Sequence, residues 1–354
     1  MSPKLFITGG TGYVGGSVLH AIATAHPEYS ITVLLRNIPA SFSTIYPDVR
    51  IVTGTYDSTS VLTSEAAQAD IVVHNGDSDH EPSLNALITG LLQKEKETGK
   101  PGVLLHLSGT GIVADWRSED GLGVRSDVTW SDVDAHSLEK IRSLPDDALH
   151  RNTENILHHT ATTHAHRIRI AIMCPPSIYG ADLGLTRKSS VLIPLFVKEI
   201  KTLGAAFYYK DGTNTRSWVH IKDVVRLYLH VVETAVSSLD DDNASINPDR
   251  YFNANGYYFT ATQEHDQLSL ARAVGAILHA QGVVPSPDPR QITLQELDTM
   301  ATGILDYPPM GRYLFASNSR TRADRAGQVW GYKGQEEGLF DGLEADVLKV
   351  LEES

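Results

Sequence analysis

The segment FITGGTGYVGGSV, residues 6–18, constrains the fold more than any other part of the sequence. It places Gly10, Gly12 and Gly15 in a G-x-G-x-x-G pattern, directly after an apolar run and at the start of a helical one. Glycines at this spacing permit a tight turn and a close approach of the backbone, so that a pyrophosphate can rest on the helix N-terminus. The chain is therefore predicted to begin with a strand, a phosphate-binding loop and a helix.

Short β-branched runs alternate with helical patterns through the first half of the chain. Near-continuous apolar runs are typical of parallel strands that are covered on both faces. Helical patterns occupy the intervals between them, for example at 16–26 and 83–100. The pattern predicts an α/β fold, a Rossmann-type doubly wound parallel sheet. Six strands are expected, at residues 4–9, 31–36, 49–54, 69–75, 102–108 and 167–174.

The order of elements changes after CPPSIYG (174–180), where longer helices are separated by polar loops. We therefore expect a Rossmann domain at 1–178 and a smaller substrate-binding lobe at 179–354. Segments 217–230 and 251–256 are expected to return to the Rossmann domain. The lobe should cap the carboxyl ends of the strands, where open α/β sheets bind their ligands.

Composition excludes several classes of protein. The net charge of −13 over 354 residues, with no stripe of Lys and Arg, argues against a nucleic-acid partner. Cys174 is the single cysteine, which excludes an internal disulfide framework and suits a reducing compartment. No apolar run is long enough to span a bilayer, and MSPKLFITGG reaches a strand too early for a cleavable signal. A soluble cytoplasmic protein without a membrane partner is expected.

Several ordered motifs, spread over nearly the whole chain, carry a resemblance to a known family. TGGTGYVGG resembles the T-G-x-x-G-x-x-G loop of the extended short-chain dehydrogenase/reductase family, which includes sugar-nucleotide epimerases and dihydroflavonol-type reductases. Further segments are similar to later motifs of that family: HNGD (74–77), LSGTG (107–111), PPSIYG (175–180), DGTNTRSWVHIKDVVRLYL (211–229) and RADRAGQVWGYK (322–333).

The resemblance implies a nicotinamide dinucleotide cofactor that contacts the loop and the strand ends. The implied cofactor residues are Thr8, Gly9, Gly10, Thr11, Gly12, Tyr13, Val14, Gly15, Arg36, Tyr56, Asp57, Asn75, Gly76, Asp77, Ser108, Pro175 and Ser177.

The choice between NAD and NADP depends on the end of the second strand. An acidic residue there would bind the ribose 2′-hydroxyl of NAD, whereas an arginine accommodates the 2′-phosphate of NADP. The strand ends VLLRN, so Arg36 favours NADP(H), although an exposed strand-end arginine without this role is the alternative. In GTYDS (54–58), Thr55 stands where the family has an aspartate, which leaves Tyr56 and Asp57 as candidates for the adenine side.

The proton-transfer residues of the family are incomplete. Short-chain reductases in general use a Ser or Thr, a Tyr and a Lys four residues later, and by resemblance Thr110 keeps the first role. The other two roles are vacant, because no tyrosine occurs between Tyr56 and Tyr179 and no lysine between Lys140 and Lys188. A different proton donor is therefore needed if the protein catalyses hydride transfer.

His150 is the candidate donor in the helix that should carry the tyrosine. One register gives His150 and Glu154 the Tyr and Lys positions, and the other gives them to Asp146 and His150. Residues four apart share a helix face, so a Glu154 contact is expected to fix the imidazole tautomer and raise its pKa. Alternatively, His150, Glu154 and His158 form an ordinary polar face at a subunit interface. No metal site is expected, because the H-x3-E-x3-H spacing has no further ligand.

Other acids near strand ends remain possible donors, namely Asp77, His80 and Tyr179. On the substrate side, Arg216 matches the arginine with which sugar-nucleotide members grip a diphosphate, and Arg187 with Lys188 forms another possible anion site. Three aromatic residues would equally suit a flat organic substrate, namely Tyr208, Tyr209 and Trp218. Tyr179 is a further candidate for substrate binding.

The sequence thus predicts an NADP(H)-dependent oxidoreductase acting on a carbonyl or secondary alcohol of a small molecule. A cofactor-binding protein without redox turnover and a non-oxidative lyase or isomerase are the alternatives. Family members commonly dimerise through the helices after strands four and five, so a homodimer is expected, with 133–164 containing the second of these helices.

Overall fold

The computed structural model describes residues 2–186, 189–239, 246–304 and 309–353. Its β-strands are β1 (Lys4–Thr8), β2 (Ser30–Leu35), β3 (Arg50–Thr53), β4 (Ile71–His74), β5 (Gly102–Leu107), β6 (Trp130–Ser131), β7 (Ile168–Cys174), β8 (Ser177–Tyr179), β9 (Phe207–Tyr209), β10 (Thr215–His220), β11 (Tyr257–Phe259), β12 (Gln263–Asp266), β13 (Arg290–Ile292) and β14 (Thr321–Arg322).

The α-helices lie between and after these strands, and none of the described helices is long and apolar enough to cross a membrane. They are α1 (Tyr13–Ala25), α2 (Phe42–Ile45), α3 (Thr59–Gln68), α4 (Glu81–Thr98), α5 (Ala135–Arg142), α6 (Arg151–Thr163), α7 (Leu192–Leu203), α8 (Ile221–Ser237), α9 (Gln267–Ala280), α10 (Leu294–Asp298), α11 (Met310–Phe315), α12 (Asp324–Trp330) and α13 (Leu339–Glu352).

A seven-stranded parallel sheet forms the centre of the fold, in the order β11-β7-β5-β4-β1-β2-β3. The doubly wound α/β fold predicted from the sequence is therefore confirmed, with all six expected strands in it. The seventh strand, β11, was not predicted. It is only three residues long and pairs with β7 at the edge of the sheet.

Alternating side chains of the strands pack into two separate cores. Leu5 and Ile7 of β1 lie in the core that includes buried residues of α1 and α8, whereas Phe6 lies in the core beneath α3 and α4. Burial on both faces explains why these strands read as continuous apolar runs. Helix α8 follows β10 of the second lobe and packs on α1, so the chain returns to the first unit there and again at β11.

The C-terminal lobe has its own apolar core between α7, α9 and α13. Its strands form a three-stranded sheet in the order β12-β10-β8 and a pair, β13 with β9. Tyr179 and Trp218 belong to this core, each 1% exposed, and their rings pack edge to face. The Tyr179 hydroxyl donates to the Glu337 carbonyl at 2.7 Å. The expectation that these two aromatic rings contact substrate is therefore corrected, since both fill the interior of the lobe.

Candidate functional site

The glycine loop lies against the end of β4. Gly9 has a φ of +71°, and a Cβ there would lie 2.2 Å from the Asn75 carbonyl oxygen. A Cβ on Gly15 would lie 2.3 Å from the Gly9 carbonyl oxygen. Side chains at either position would force the backbone apart, so these glycines are required by close packing as well as by the turn.

Asn75 gives this loop a buried amide that lacks a partner. The residue is 6% exposed, and neither Nδ2 nor Oδ1 makes a hydrogen bond within the described part of the chain. Buried polar side-chain atoms nearly always have a partner, because an unmade hydrogen bond costs about 1–3 kcal/mol. An amide with both a donor and an acceptor free, beside a phosphate-binding loop, fits a dinucleotide that supplies the missing partners.

A cleft of about 180 Å³ opens beside the loop at the ends of β2 and β3. Arg36 lines it, is exposed, and has no ion-pair partner among the described residues. Tyr56 also lines the cleft and packs over Gly76, where a Cβ would lie 2.4 Å from its ring. Burial raises the pKa of Tyr56, and the charge of Asp77 adds to the effect. A neutral aromatic ring and a free guanidinium are suitable walls for the adenosine end of a cofactor.

Several other residues expected at the cofactor have partners within the protein. The Thr8 hydroxyl lies 2.6 Å from His74 Nδ1, and the Tyr13 hydroxyl donates to the Gly180 carbonyl at 2.7 Å. An Asp57 carboxylate oxygen lies 3.2 Å from His80 Nε2, within hydrogen-bond distance. The Pro175 carbonyl accepts from the Thr110 amide, and Asp77 accepts from the Asp79 amide, both at 3.0 Å. These side chains and carbonyls brace the strand ends that surround the loop.

His150 lies in a backbone conformation that differs from the expected helix. It is the N-cap of α6 with a φ of +65°, a left-handed conformation that side-chain-bearing residues rarely adopt. Its Nδ1 lies 2.9 Å from the Asp79 carboxylate and 3.2 Å from the Ser78 hydroxyl. Burial alone would lower the pKa of His150, but the hydrogen bond and charge of Asp79 raise it above its usual value. Strain of this kind often marks functional positions.

The other imidazole nitrogen of His150 points to the turn after β5. A Cβ on Gly109 would lie 3.0 Å from Nε2, and a Cβ on Gly111 would lie 3.3 Å from it. Nε2 therefore lies beside both neighbours of Thr110, and it makes no hydrogen bond to any described residue. An aspartate on Nδ1 and an unpaired Nε2 are the arrangement that a general acid or base requires.

Glu154 does not contact the His150 imidazole, which corrects the expected pairing. Because His150 precedes the helix in a left-handed conformation, its side chain reaches Asp79, while Glu154 is 0% exposed inside the fold. Its carboxylate accepts from the Ser108 hydroxyl at 2.5 Å and from the Tyr257 hydroxyl at 3.1 Å. Burial raises the pKa of this carboxyl, but His158, Ser108 and the charge of His150 hold it below its usual value.

Two buried histidines lie beneath this region on adjacent strands. His74 and His106 are register partners on β4 and β5, with ring centroids 5.2 Å apart. Burial lowers the pKa of His74 to about 4 and that of His106 to about 3, so both are neutral near pH 7. His106 Nε2 lies 3.2 Å from the Ser78 carbonyl. His106 therefore braces the segment that carries Asp79.

Of the three residues expected to bind anions, the structure describes only Arg216. Arg187 and Lys188 lie outside the described residues. Arg216 is 7% exposed, and its guanidinium donates to the Tyr313 carbonyl and to the Ser317 hydroxyl, the latter at 2.8 Å. The guanidinium therefore points into the protein, so the diphosphate grip expected for Arg216 is corrected.

The sequence of this chain was compared with protein-family models and with known proteins. A model described as the NAD dependent epimerase/dehydratase family matches residues 153–246. The Oxidase ucsJ of Acremonium sp is 30% identical over 355 residues, covering 99% of this chain and 99% of that protein. The chain belongs to the NAD-dependent epimerase/dehydratase family.

Solved members of the family share the fold at low identity. The dTDP-glucose 4,6-dehydratase DesIV of Streptomyces venezuelae, solved with NAD and TYD bound, has a TM-score of 0.62 at 19% identity, covering 99% of this chain and 97% of that one. The UDP-glucose 4-epimerase of Thermotoga maritima, solved with UDP-glucose, has a TM-score of 0.59 at 14% identity, covering 99% of both chains.

The structure brings to the candidate site further residues that were not identified in the sequence. Asp79 follows the HNGD motif by two residues, which places it at the carboxyl end of β4, but no local pattern links it to His150. Ser78, His106 and Tyr257 likewise join the site through contacts between residues distant in sequence.

Proposed function

We propose that this protein is an NADP(H)-dependent oxidoreductase that interconverts a carbonyl and a secondary alcohol of a small organic molecule. The observation that carries the proposal is the His150–Asp79 pair, with its free Nε2 beside the turn of Thr110. The bound nicotinamide would supply or accept the hydride. His150 would give the proton to the substrate oxygen in reduction and take it back in oxidation, and Thr110 would hold that oxygen.

Cofactor binding is supported by the unpaired amide of Asn75 and the cleft beside Arg36. The solved relative DesIV contains NAD, and a relative covering the whole chain is named an oxidase, so a nicotinamide cofactor and redox chemistry are both consistent with the family. Asp79 raises the pKa of His150 and therefore keeps this donor protonated nearer to neutral pH.

The direct test is hydride loss from NADPH, followed by absorbance, across a panel of aldehydes, ketones and quinones. At least one carbonyl is expected to consume NADPH in step with formation of its alcohol. Tight NADPH binding without turnover on every compound would instead favour a cofactor-binding protein that has no redox reaction.

Arg36 is expected to set the cofactor preference. Arg36→Ala should weaken NADPH binding by roughly 10-fold or more while leaving NADH binding unchanged, because only NADPH carries the 2′-phosphate with which a guanidinium pairs. Fluorescence titration of both cofactors measures the effect. Arg50→Ala is a matched control, since Arg50 lies on neighbouring β3 and is paired with Glu65. Equal affinities of the parent protein for the two cofactors would contradict the proposed preference.

A further inference from the structure

A second polar side chain converges with His150 on the turn after β5. A Cβ on Gly111 would lie 2.6 Å from the Tyr313 hydroxyl oxygen and 3.3 Å from His150 Nε2. Because both distances start from one point, their sum of 5.9 Å is the largest possible separation of the two atoms. Tyr313 belongs to α11 of the C-terminal lobe, so the lobe contributes a phenol to a site built mainly by the Rossmann domain.

The Arg216 guanidinium packs against the ring of Tyr313. The guanidinium carbon lies 5.0 Å from the centre of the Tyr313 ring, and the same group donates to the Tyr313 carbonyl. Arg216 Nε is buried and has no hydrogen-bond partner within the described residues. A cation stacked on the ring favours a fixed ring position.

We propose that Tyr313, supported by Arg216, supplies the tyrosine hydroxyl that is missing from the usual helix position, as a second hydrogen-bond donor to the substrate oxygen. The inference rests on the proposed function. In reduction, a hydride adds to the carbonyl carbon, the C=O π pair moves to oxygen, and His150 Nε2 gives that oxygen its proton. Tyr313 keeps its own proton and stabilises the negative charge that develops on oxygen, as donors of an oxyanion hole do.

The test compares Tyr313→Phe with Tyr29→Phe. Tyr29 precedes β2, at the amino ends of the strands, and therefore lies at the edge of the sheet opposite to the site. With the best carbonyl of the panel, Tyr313→Phe should slow single-turnover hydride transfer by about 10²–10³-fold, the usual effect of removing one oxyanion donor. The pH midpoint of the rate should stay where His150 sets it, since Tyr313 does not transfer the proton. Tyr29→Phe should match the parent in both measurements.

Binding provides a readout that does not depend on turnover. The complex of NADPH with the product alcohol cannot react, and calorimetry of this complex should show about 10-fold weaker alcohol binding in Tyr313→Phe, with NADPH binding unchanged. Suppose that Tyr313→Phe transfers hydride and binds the alcohol as the parent protein does, while His150→Phe transfers hydride slowly. This result would overturn the role of Tyr313 and leave the proposed function intact. Absence of turnover by the parent protein on the whole panel would overturn both.

Discussion

His150→Phe is expected to bind NADPH as tightly as the parent protein and to transfer hydride on the order of 10²–10⁴-fold more slowly, the range typical of a positioned acid. Phenylalanine fills a similar volume to histidine but has no ring nitrogen that could donate a proton beside Thr110. The measurement is single-turnover NADPH oxidation with the best carbonyl of the panel. His159→Phe is the matched control, because His159 is exposed on the same helix.

The rate of reduction is expected to change with pH in one direction only. The donor must be protonated, so the rate of reduction should fall as pH rises through the pKa of His150, which Asp79 raises above 6.5. Asp79→Asn removes that charge and should move the fall in rate to lower pH. An unchanged single-turnover rate in His150→Phe would exclude the imidazole as donor, and altered self-association without a kinetic effect would identify an interface residue instead.

The parts of the fold that were predictable depend on local signals. The glycine spacing of residues 9–15 marks a turn whose geometry excludes side chains, and the structure shows that exclusion directly at Gly9 and Gly15. The buried parallel strands were recognisable because two-sided burial makes every residue apolar. Strand β11 gave no such signal, since three aromatic residues flanked by loops fit a core loop equally well.

The candidate proton-transfer site was only partly predictable from the sequence. The absence of the family's Tyr and Lys can be read directly from the sequence, and it made His150 the candidate donor. The partner was misassigned because the i, i+4 rule assumes a regular helix, whereas His150 adopts a left-handed conformation before α6 begins. Tyr313 and Arg216 lie far from His150 in sequence, and only the packing of the C-terminal lobe brings Tyr313 to the turn of Gly111.

Glu154 is expected to matter most for stability, because its carboxylate joins α6 to the ends of three strands. It bonds Ser108 after β5 and Tyr257 of β11, and lies 3.7 Å from the Cys174 thiol of β7. Glu154→Leu leaves these buried hydroxyls unpaired and should lower the free energy of unfolding by about 3–5 kcal/mol. Glu154→Gln keeps the shape and an acceptor oxygen, so about 1–3 kcal/mol is expected.

Chemical denaturation at several pH values tests the role of the charge. The folded-state pKa of Glu154 lies below its ordinary value of 4.5, so its ionised form contributes stability above that value and loses the contribution as pH falls through the folded-state pKa. The difference between the parent and Glu154→Gln should therefore be constant near neutrality and shrink in acid. Glu139→Leu, an exposed site on α5, should change stability by only about 0.5 kcal/mol. A difference that grows in acid would show that Glu154 is protonated in the folded protein. Hydride transfer by Glu154→Gln should remain well above that of His150→Phe, because the carboxylate acts on the imidazole only through its charge.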